Sequence, residues 1–180
     1  YNDYDLSAVL ATPLIAYSIG QYGQSKKTID GGITWTPCSF SSIGYSGINL
    51  FALNENSVFF AGLQNLSLTA AIGKMNNSNW LINDLFGSIA MQRIFFIDNN
   101  LGWVVGNSGV IKISNNGGNN WIDGNSGVTS TILGVSFKDS LNGWAATENG
   151  KILKSIDGGL NWVIEYDGVT SINDITFNNL

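Results

Sequence analysis

Histidine is absent from this sequence, cysteine occurs once, and charged side chains are scarce. Without histidine, neither a Ser-His-Asp nor a Cys-His arrangement for nucleophilic catalysis can form, and the commonest metal ligand is missing. The single cysteine, Cys38, excludes an internal disulfide, and a lone cysteine is typical of a small buried apolar side chain. We therefore assign the chain no catalytic residue, no metal site and no cofactor.

Charged residues make up 12% of the 180 residues, about half of the ~25% found in a typical soluble domain. The net charge is −5, with only eight Lys and Arg. Because nucleic-acid binding requires clustered cations, we exclude a nucleic-acid partner. The longest apolar run, near residues 9–17, is broken by Thr12 and Pro13, so we expect no membrane insertion. The other polar residues are mostly uncharged Asn, Ser and Thr, together with Gly, and this composition favours a secreted or cell-surface all-β protein.

Tryptophan recurs at spacings of 45, 41 and 41 residues, which marks an internal repeat. The recurring residues, each the last of an octet, are Trp35, Trp80, Trp121 and Trp162. The octets read T-I-D-G-G-I-T-W (28–35), G-K-M-N-N-S-N-W (73–80, degenerate), S-N-N-G-G-N-N-W (114–121) and S-I-D-G-G-L-N-W (155–162). A short motif and an apolar segment precede each octet in the same order. These landmarks predict about four and a half copies of one repeat of roughly 41 residues.

Each copy consists of short segments rich in Val, Ile, Phe and Trp, bounded by Asn, Asp, Ser and Gly, as strands are. In the fourth copy the predicted strands are 133–137, 144–147, 151–155 and 161–165. Units of four antiparallel strands repeating every ~40–45 residues indicate the blades of a β-propeller. We predict an all-β propeller segment over 1–180, with blades near 5–43, 44–88, 89–130 and 131–170.

The last residues, 171–180, are predicted to hold only the first strand of a further blade, at 172–177. A lone strand leaves an unpaired edge, which folded proteins avoid, and closed propellers have roughly four to eight blades. We therefore expect the chain to be part of a larger propeller.

The octet spacing suits a tight turn in which an Asp side chain accepts hydrogen bonds from the turn amides. Glycine takes the positive-φ positions, and the first hydroxyl adds a second local bond. Asn116 can accept in place of Asp, whereas Met75 in the degenerate copy cannot. We expect each tryptophan to pack between neighbouring blades. The residues assigned this structural role are Thr28, Asp30, Gly32, Trp35, Trp80, Ser114, Asn116, Gly118, Trp121, Ser155, Asp157, Gly159 and Trp162.

These octets resemble the Asp-box, or BNR repeat. The longer pattern in 102–121 and 143–162, with a shorter match at 20–35, is similar to the repeats of the photosystem II stability/assembly factor family. That resemblance implies a propeller. It also implies the role of the family's members, which is that of a lumenal chaperone with an arginine-rich patch. This chain lacks such a patch. Asp-box propellers also include sialidases, xyloglucan-cleaving enzymes, sorting receptors and bacterial surface proteins. A sialidase site would need three arginines, and the chain has one, Arg93.

Function is expected where the second-to-third and fourth-to-first strand connections share one face of a propeller. The candidate binding residues on or near this face are Tyr22, Gln64, Arg93 and Glu148. We predict a non-catalytic scaffold or binding module for a protein or a glycan, outside a bacterial cell or on its surface, with the periplasm or a lumen as second choice. The alternative is part of a polysaccharide-cleaving glycoside hydrolase, which needs two carboxylates roughly 5–10 Å apart. Thirteen acidic residues leave that alternative open.

Overall fold

The computed structural model describes residues 5–20, 24–40, 45–64, 70–76, 79–85, 87 and 89–176. The chain forms two compact units, Tyr1–Met91 (unit 1) and Gln92–Leu180 (unit 2). Within the described residues, regular structure consists of strands and one 3-10 turn. The prediction of an all-β chain is therefore confirmed.

Sheet 1, in unit 1, contains β1 (Asp5–Leu10), β2 (Ala16–Gly20), β3 (Ser25–Thr28) and β4 (Thr36–Pro37). The strands follow one another in chain order and pair antiparallel. The first octet lies between the third and fourth strands. Its glycines, Gly31 and Gly32, have φ of 74° and 91°, left-handed values that an L side chain adopts only with strain.

Sheet 2, also in unit 1, contains β5 (Ser39–Phe40), β6 (Tyr45–Asn54), β7 (Ser57–Gln64), β8 (Ala70–Asn76) and β9 (Asn79–Leu85). The last four form an antiparallel meander, and β5, from the end of the first copy, pairs in parallel with β9. The degenerate octet extends the β8–β9 ladder, in which Met75 pairs with Trp80. Both side chains are buried. Met75, which stands at the octet Asp position, is therefore part of the core and not of a polar turn.

Sheet 3, in unit 2, contains β10 (Met91–Phe96), β11 (Gly102–Gly106), β12 (Ile111–Ser114) and β13 (Ile122–Gly124). Sheet 4 contains β14 (Ile132–Phe137), β15 (Gly143–Thr147), β16 (Lys151–Ser155) and β17 (Val163–Asp167). Both are four-stranded meanders, which confirms the predicted four-stranded units. The outermost strand of the fourth copy begins at Val163, two residues later than predicted.

A short parallel link recurs between the two sheets of each unit. Ser39 pairs with Asn79 in unit 1, and Asn125 pairs with Asn161 in unit 2. In both links the first residue lies four positions after the tryptophan of its octet, and the second immediately precedes the next tryptophan. In unit 2, the backbone N–H of Trp162 also donates to the carbonyl oxygen of Asn125 at 3.1 Å. The repeats are therefore joined at equivalent positions, which sequence periodicity alone did not indicate.

Each unit has its own apolar core, to which both of its sheets contribute. Tyr17, Phe60 and Trp80 are among the large buried side chains of unit 1, and Trp103, Phe137 and Trp162 are among those of unit 2. The other octet tryptophans belong to the first sheet of each unit. Trp35 is 41% exposed and Trp121 is half-buried.

The predicted strand at 172–177 is not formed over its described residues, 172–176, which carry no strand assignment. Ile172 donates its N–H to the carbonyl oxygen of Thr147 at 3.2 Å, and the backbone near Asp174 and Ile175 lies against Gly134 of β14. A strand requires a partner for its backbone groups, and this segment has no second strand to pair with among the described residues. The boundaries predicted for the four blades stay predictions.

Candidate functional site

The three complete octets form turns with the same internal hydrogen bonds. In each turn the first hydroxyl donates to the side-chain oxygen two residues later and accepts the N–H of the glycine four residues later. That side-chain oxygen also accepts the N–H four residues beyond it. The first hydroxyls are those of Thr28, Ser114 and Ser155, bonded to Asp30, Asn116 and Asp157 at 2.7, 3.1 and 2.8 Å and to Gly32, Gly118 and Gly159 at 2.9, 2.8 and 2.9 Å.

The octet carboxylates are engaged by their own turns. The Thr34 hydroxyl and N–H, with a further bond from Thr28, lower the pKa of Asp30 to about 2. The Asn161 N–H, with the Asn161 side-chain amide and the Ser155 hydroxyl, holds the pKa of Asp157 below its usual value, against an opposing effect of burial. Both groups are therefore ionised at neutral pH and stabilise a turn.

The turns at this end of sheets 3 and 4 form what we call the octet edge. Asp98 and Asp139, in the turns that connect the first two strands of each sheet, accept backbone N–H groups that lower the pKa of both carboxyl groups. A groove of about 250 Å³ lies between these turns and the two octets. Its lining is mostly apolar and consists of Leu101, Ile113, Asn115, Asn120, Ile122, Ser140, Leu141, Asp157, Gly158 and Leu160.

The opposite ends of the strands in sheets 3 and 4 form the loop edge, made by the turns at 107–109 and 148–150 and by the connections that follow each sheet. A Cβ on Gly109 would overlap the carbonyl oxygen of Val128, and one on Gly150 would lie 2.5 Å from that of Thr170. Both glycines have positive φ, and Ser108, immediately before Gly109, has φ of 57°. Each turn is therefore packed tightly against the connection that follows its sheet, which makes this edge rigid.

Two of the four predicted binding residues lie on the loop edge of unit 2. Arg93, near the start of β10, forms an ion pair with Asp174. Glu148 accepts the N–H of Thr131 at 2.8 Å, and its own N–H donates to the carbonyl oxygen of Thr131 at 2.9 Å. Gln64 ends β7 in unit 1, with its side chain outside the described residues, and Tyr22 lies outside them entirely.

Sequence reasoning missed Asp174, the partner of Arg93. It also missed the bond from Gln92 Nε2 to Asn107 Oδ1 at 3.0 Å, which ties the start of β10 to the turn at 107–109. Nothing in the sequence signals the ion pair, because its members lie in different copies of the repeat, 81 residues apart in the chain. Only the path of the chain after sheet 4 brings them together.

Among the described residues, no three Asp, Glu, Cys or His side chains are placed to hold a metal ion. The same part of the chain contains no helix long and apolar enough to cross a membrane. Cys38 is buried in the core of unit 1, and burial raises the pKa of its thiol. The thiol is therefore protonated and acts as an apolar core group.

The architecture is that of a β-propeller, as comparison with solved structures shows. A structure titled YCF48 bound to D1 peptide is 14% identical, with a TM-score of 0.71 over 98% of this chain and 58% of that chain. YCF48 from Cyanidioschyzon merolae is 18% identical, with a TM-score of 0.66 over 91% of this chain and 59% of that chain. The GH74 enzyme of Niastella koreensis is 15% identical, with a TM-score of 0.75 over 93% of this chain and 32% of that chain.

This chain thus spans less than two thirds of the length of each of these structures. At such low identities the likeness defines the fold. No family model matches the sequence, and no curated protein matches it.

Proposed function

We propose that this chain is a non-catalytic binding module that holds an extended protein segment on its loop edge. The observation that carries the proposal is the rigid packing of that edge, in which Gly109 and Gly150 leave no room for a side chain. A surface that is already ordered loses little conformational entropy on binding, so more of the contact energy appears as affinity.

The Arg93–Asp174 ion pair supplies a group that can recognise a partner. The side chain of Arg93 is 28% exposed and that of Asp174 is 54% exposed, so a carboxylate from outside can reach the guanidinium. Such a carboxylate would replace Asp174 in a charge-assisted hydrogen bond. The segment we expect is therefore one that carries an acidic group.

The comparisons support a protein ligand over a glycan, because one of the similar structures is titled as bound to a peptide. The low share of charged residues supports a protein that works outside the cytoplasm. We therefore place the module in an exported or surface-exposed protein of a bacterium.

The proposal is tested by selecting peptides from a random-peptide phage library on the full chain and measuring their affinity by fluorescence anisotropy. Arg93→Ala should lower the affinity for an enriched acidic peptide by about tenfold, since a charge-assisted bond contributes about 1.5–3 kcal/mol. Asp174→Asn should strengthen the binding of the same peptide, because it removes the carboxylate that competes for Arg93. Ile156→Asp, on the octet edge, is the matched control and should change nothing. Failure to enrich any peptide, or equal losses in the control, would sink the proposal, and ligands found only on a glycan array would assign the edge to sugars.

A glycoside hydrolase is the second candidate, favoured by the likeness to the GH74 enzyme. Such an enzyme needs a general acid whose pKa is raised. Local hydrogen bonds instead lower the pKa of Asp30, Asp98, Asp139, Asp157 and Glu165. Release of reducing sugar from a β-glucan, abolished by a single carboxylate-to-amide substitution in this chain, would establish this candidate and overturn the binding module.

A further inference from the structure

The groove at the octet edge has an apolar lining that is partly open to solvent. Ile113 is buried and Leu101 is half-buried, whereas three further aliphatic side chains are exposed. The exposed fractions are 57%, 55% and 47% for Ile122, Leu141 and Leu160. Exposed apolar side chains gathered around one cavity, unlike single scattered ones, mark an interaction site.

The contact between sheets 3 and 4 holds the groove in shape. Trp103 of sheet 3 stacks on Phe137 of sheet 4, with ring centroids 3.5 Å apart and an interplanar angle of 8°. Its Nε1 donates to the carbonyl oxygen of Gly158, which lines the groove, at 2.8 Å. All the lining residues belong to sheets 3 and 4 and to their turns. The groove is therefore formed before a ligand binds, which reduces the entropy lost on binding.

Three carboxylates lie at this groove. Asp157 lines it directly. Asp98 Oδ1 accepts the backbone N–H of Leu101 at 2.7 Å, which places that carboxylate against one wall. Asp139 Oδ1 accepts the backbone N–H of Leu141 at 2.9 Å, which places another against the opposite wall. A carboxylate has about four lone-pair sites, so each of these groups can accept a further bond from a ligand.

Positive charge is scarce at the same place. Lys138 is the one lysine or arginine in the turns that form the octet edge, all of which lie within the described residues. Lys112 and Lys154, on neighbouring strands, each form an ion pair with a carboxylate of the adjacent strand, at 2.6 and 2.9 Å. A cation that approaches the groove therefore meets a negative potential.

The lining favours a protein segment over a sugar. A sugar carries hydroxyl groups on all sides, and burial of these against aliphatic side chains leaves them without hydrogen-bond partners. An apolar cavity of about 150 Å³ accommodates a benzene ring, so a groove of about 250 Å³ has room for one large apolar side chain. The exposed amides of Asn115 and Asn120 can bond to the backbone of such a segment.

We propose that this groove binds a basic segment of another protein. The segment inserts an aliphatic or aromatic side chain between Ile122, Leu141 and Leu160 and places a lysine or arginine beside Asp157. Another protein is a better match than a second copy of this chain, which has a net charge of −5 and only eight Lys and Arg. The groove lies at the opposite end of the strands from the loop edge and does not depend on the function proposed for that edge.

The chain itself indicates which substitutions test the groove without disturbing the fold. Asn116 occupies the place of Asp157 in the octet of sheet 3 and closes its turn with the same hydrogen bonds. The octet of sheet 3 has asparagine at three positions where that of sheet 4 differs, namely Asn115, Asn116 and Asn119 in place of Ile156, Asp157 and Leu160. An asparagine at any of these positions of sheet 4 is therefore compatible with an octet turn.

The test selects peptides from a random-peptide phage library on the full chain carrying Arg93→Ala, so that the loop edge is impaired. Fluorescence anisotropy then gives the affinity of the enriched peptides, which should carry an apolar residue beside a lysine or arginine. Leu160→Asn should lower that affinity by about fivefold or more, because the groove loses an apolar side chain. Asp157→Asn should lower it by about two- to fivefold, because a partly exposed charge pair is lost. Added salt should weaken binding less in Asp157→Asn than in the chain that retains this carboxylate.

Two matched controls should leave the affinity unchanged. Ile156→Asn alters an exposed octet side chain outside the lining, and Asp30→Asn removes the equivalent carboxylate from the first octet. Circular dichroism of each variant confirms that it is folded. The proposal is overturned if no peptide is enriched, if the enriched peptides lack a basic residue, or if a control weakens binding as much as Leu160→Asn does. Binding that is found only on a glycan array and is lost in Leu160→Asn would also overturn it. Failure at the loop edge is measured separately, with acidic peptides and an intact Arg93.

Discussion

Replacement of Gly159 by alanine tests the contact between consecutive repeats. Gly159 has φ of 92°, and a Cβ there would lie 2.7 Å from Trp103 Nε1 and 3.0 Å from its Cδ1. Trp103 is fully buried and stacked on Phe137, so it cannot move aside without losing that contact. The substitution therefore adds backbone strain and displaces the tryptophan.

The same chain offers a control in which only the strain is present. Gly32 occupies the equivalent position of the first octet with φ of 91°, and the nearest described atom to a Cβ there would be Trp35 Nε1, at 3.9 Å. Left-handed strain of about 1–2 kcal/mol is common to both alanine variants. Loss of the Trp103 stack, about 0.5–1.5 kcal/mol, and of its hydrogen bond to Gly158, about 0.5–1.5 kcal/mol, is specific to Gly159→Ala.

We therefore expect Gly159→Ala to lower the free energy of unfolding by about 1–3 kcal/mol more than Gly32→Ala does. Urea denaturation followed by circular dichroism measures both values. If the two variants differ by less than about 0.5 kcal/mol, the contact between sheets 3 and 4 does not constrain this glycine and the reasoning fails.

Three further predictions follow from other contacts. Trp103→Phe should retain the stack but leave the Gly158 carbonyl unpaired, which lowers stability by about 1 kcal/mol in the same urea assay. Gly143→Ala should cost about 1–3 kcal/mol, because a Cβ there would overlap the Phe137 ring; a stability equal to that of the parent chain would contradict this packing. Asp30 has its pKa lowered from 3.8 to about 2, so it stabilises the fold above about pH 4 and loses this effect as the pH falls towards 2. The melting temperature of Asp30→Asn should accordingly depend less on pH in that range than that of the parent chain.

Much of the fold was predictable because the same sequence landmarks recur in each copy and indicate where its strands and turns lie. Four-stranded units, and the strands of the fourth copy, follow from apolar segments bounded by turn residues. The second copy departed from the common pattern, since Met75 at the octet Asp position pairs with Trp80 and is buried with it. Its sequence signalled the loss of a turn carboxylate and gave no sign that the ladder would extend instead.

The candidate site was less predictable than the fold. Glu148 was expected on a binding loop, and its carboxylate also links that loop to the connection before sheet 4 through the N–H of Thr131. Arg93 was considered for the same face, but its partner Asp174 belongs to a segment that was expected to be a strand. Contacts between side chains so distant in the chain leave no periodic signal.

The sequence by itself determined the octet turns, because the side-chain bonds that close them join residues no more than four positions apart. It therefore also determined that Asp30 and Asp157 are turn groups. Only the tertiary structure decided which octet tryptophans are buried, because burial depends on whether another sheet packs on that side. Trp162 and Trp35 end octets of the same pattern, yet one is 6% and the other 41% exposed, since sheet 3 covers the first and no described sheet of unit 1 covers the second.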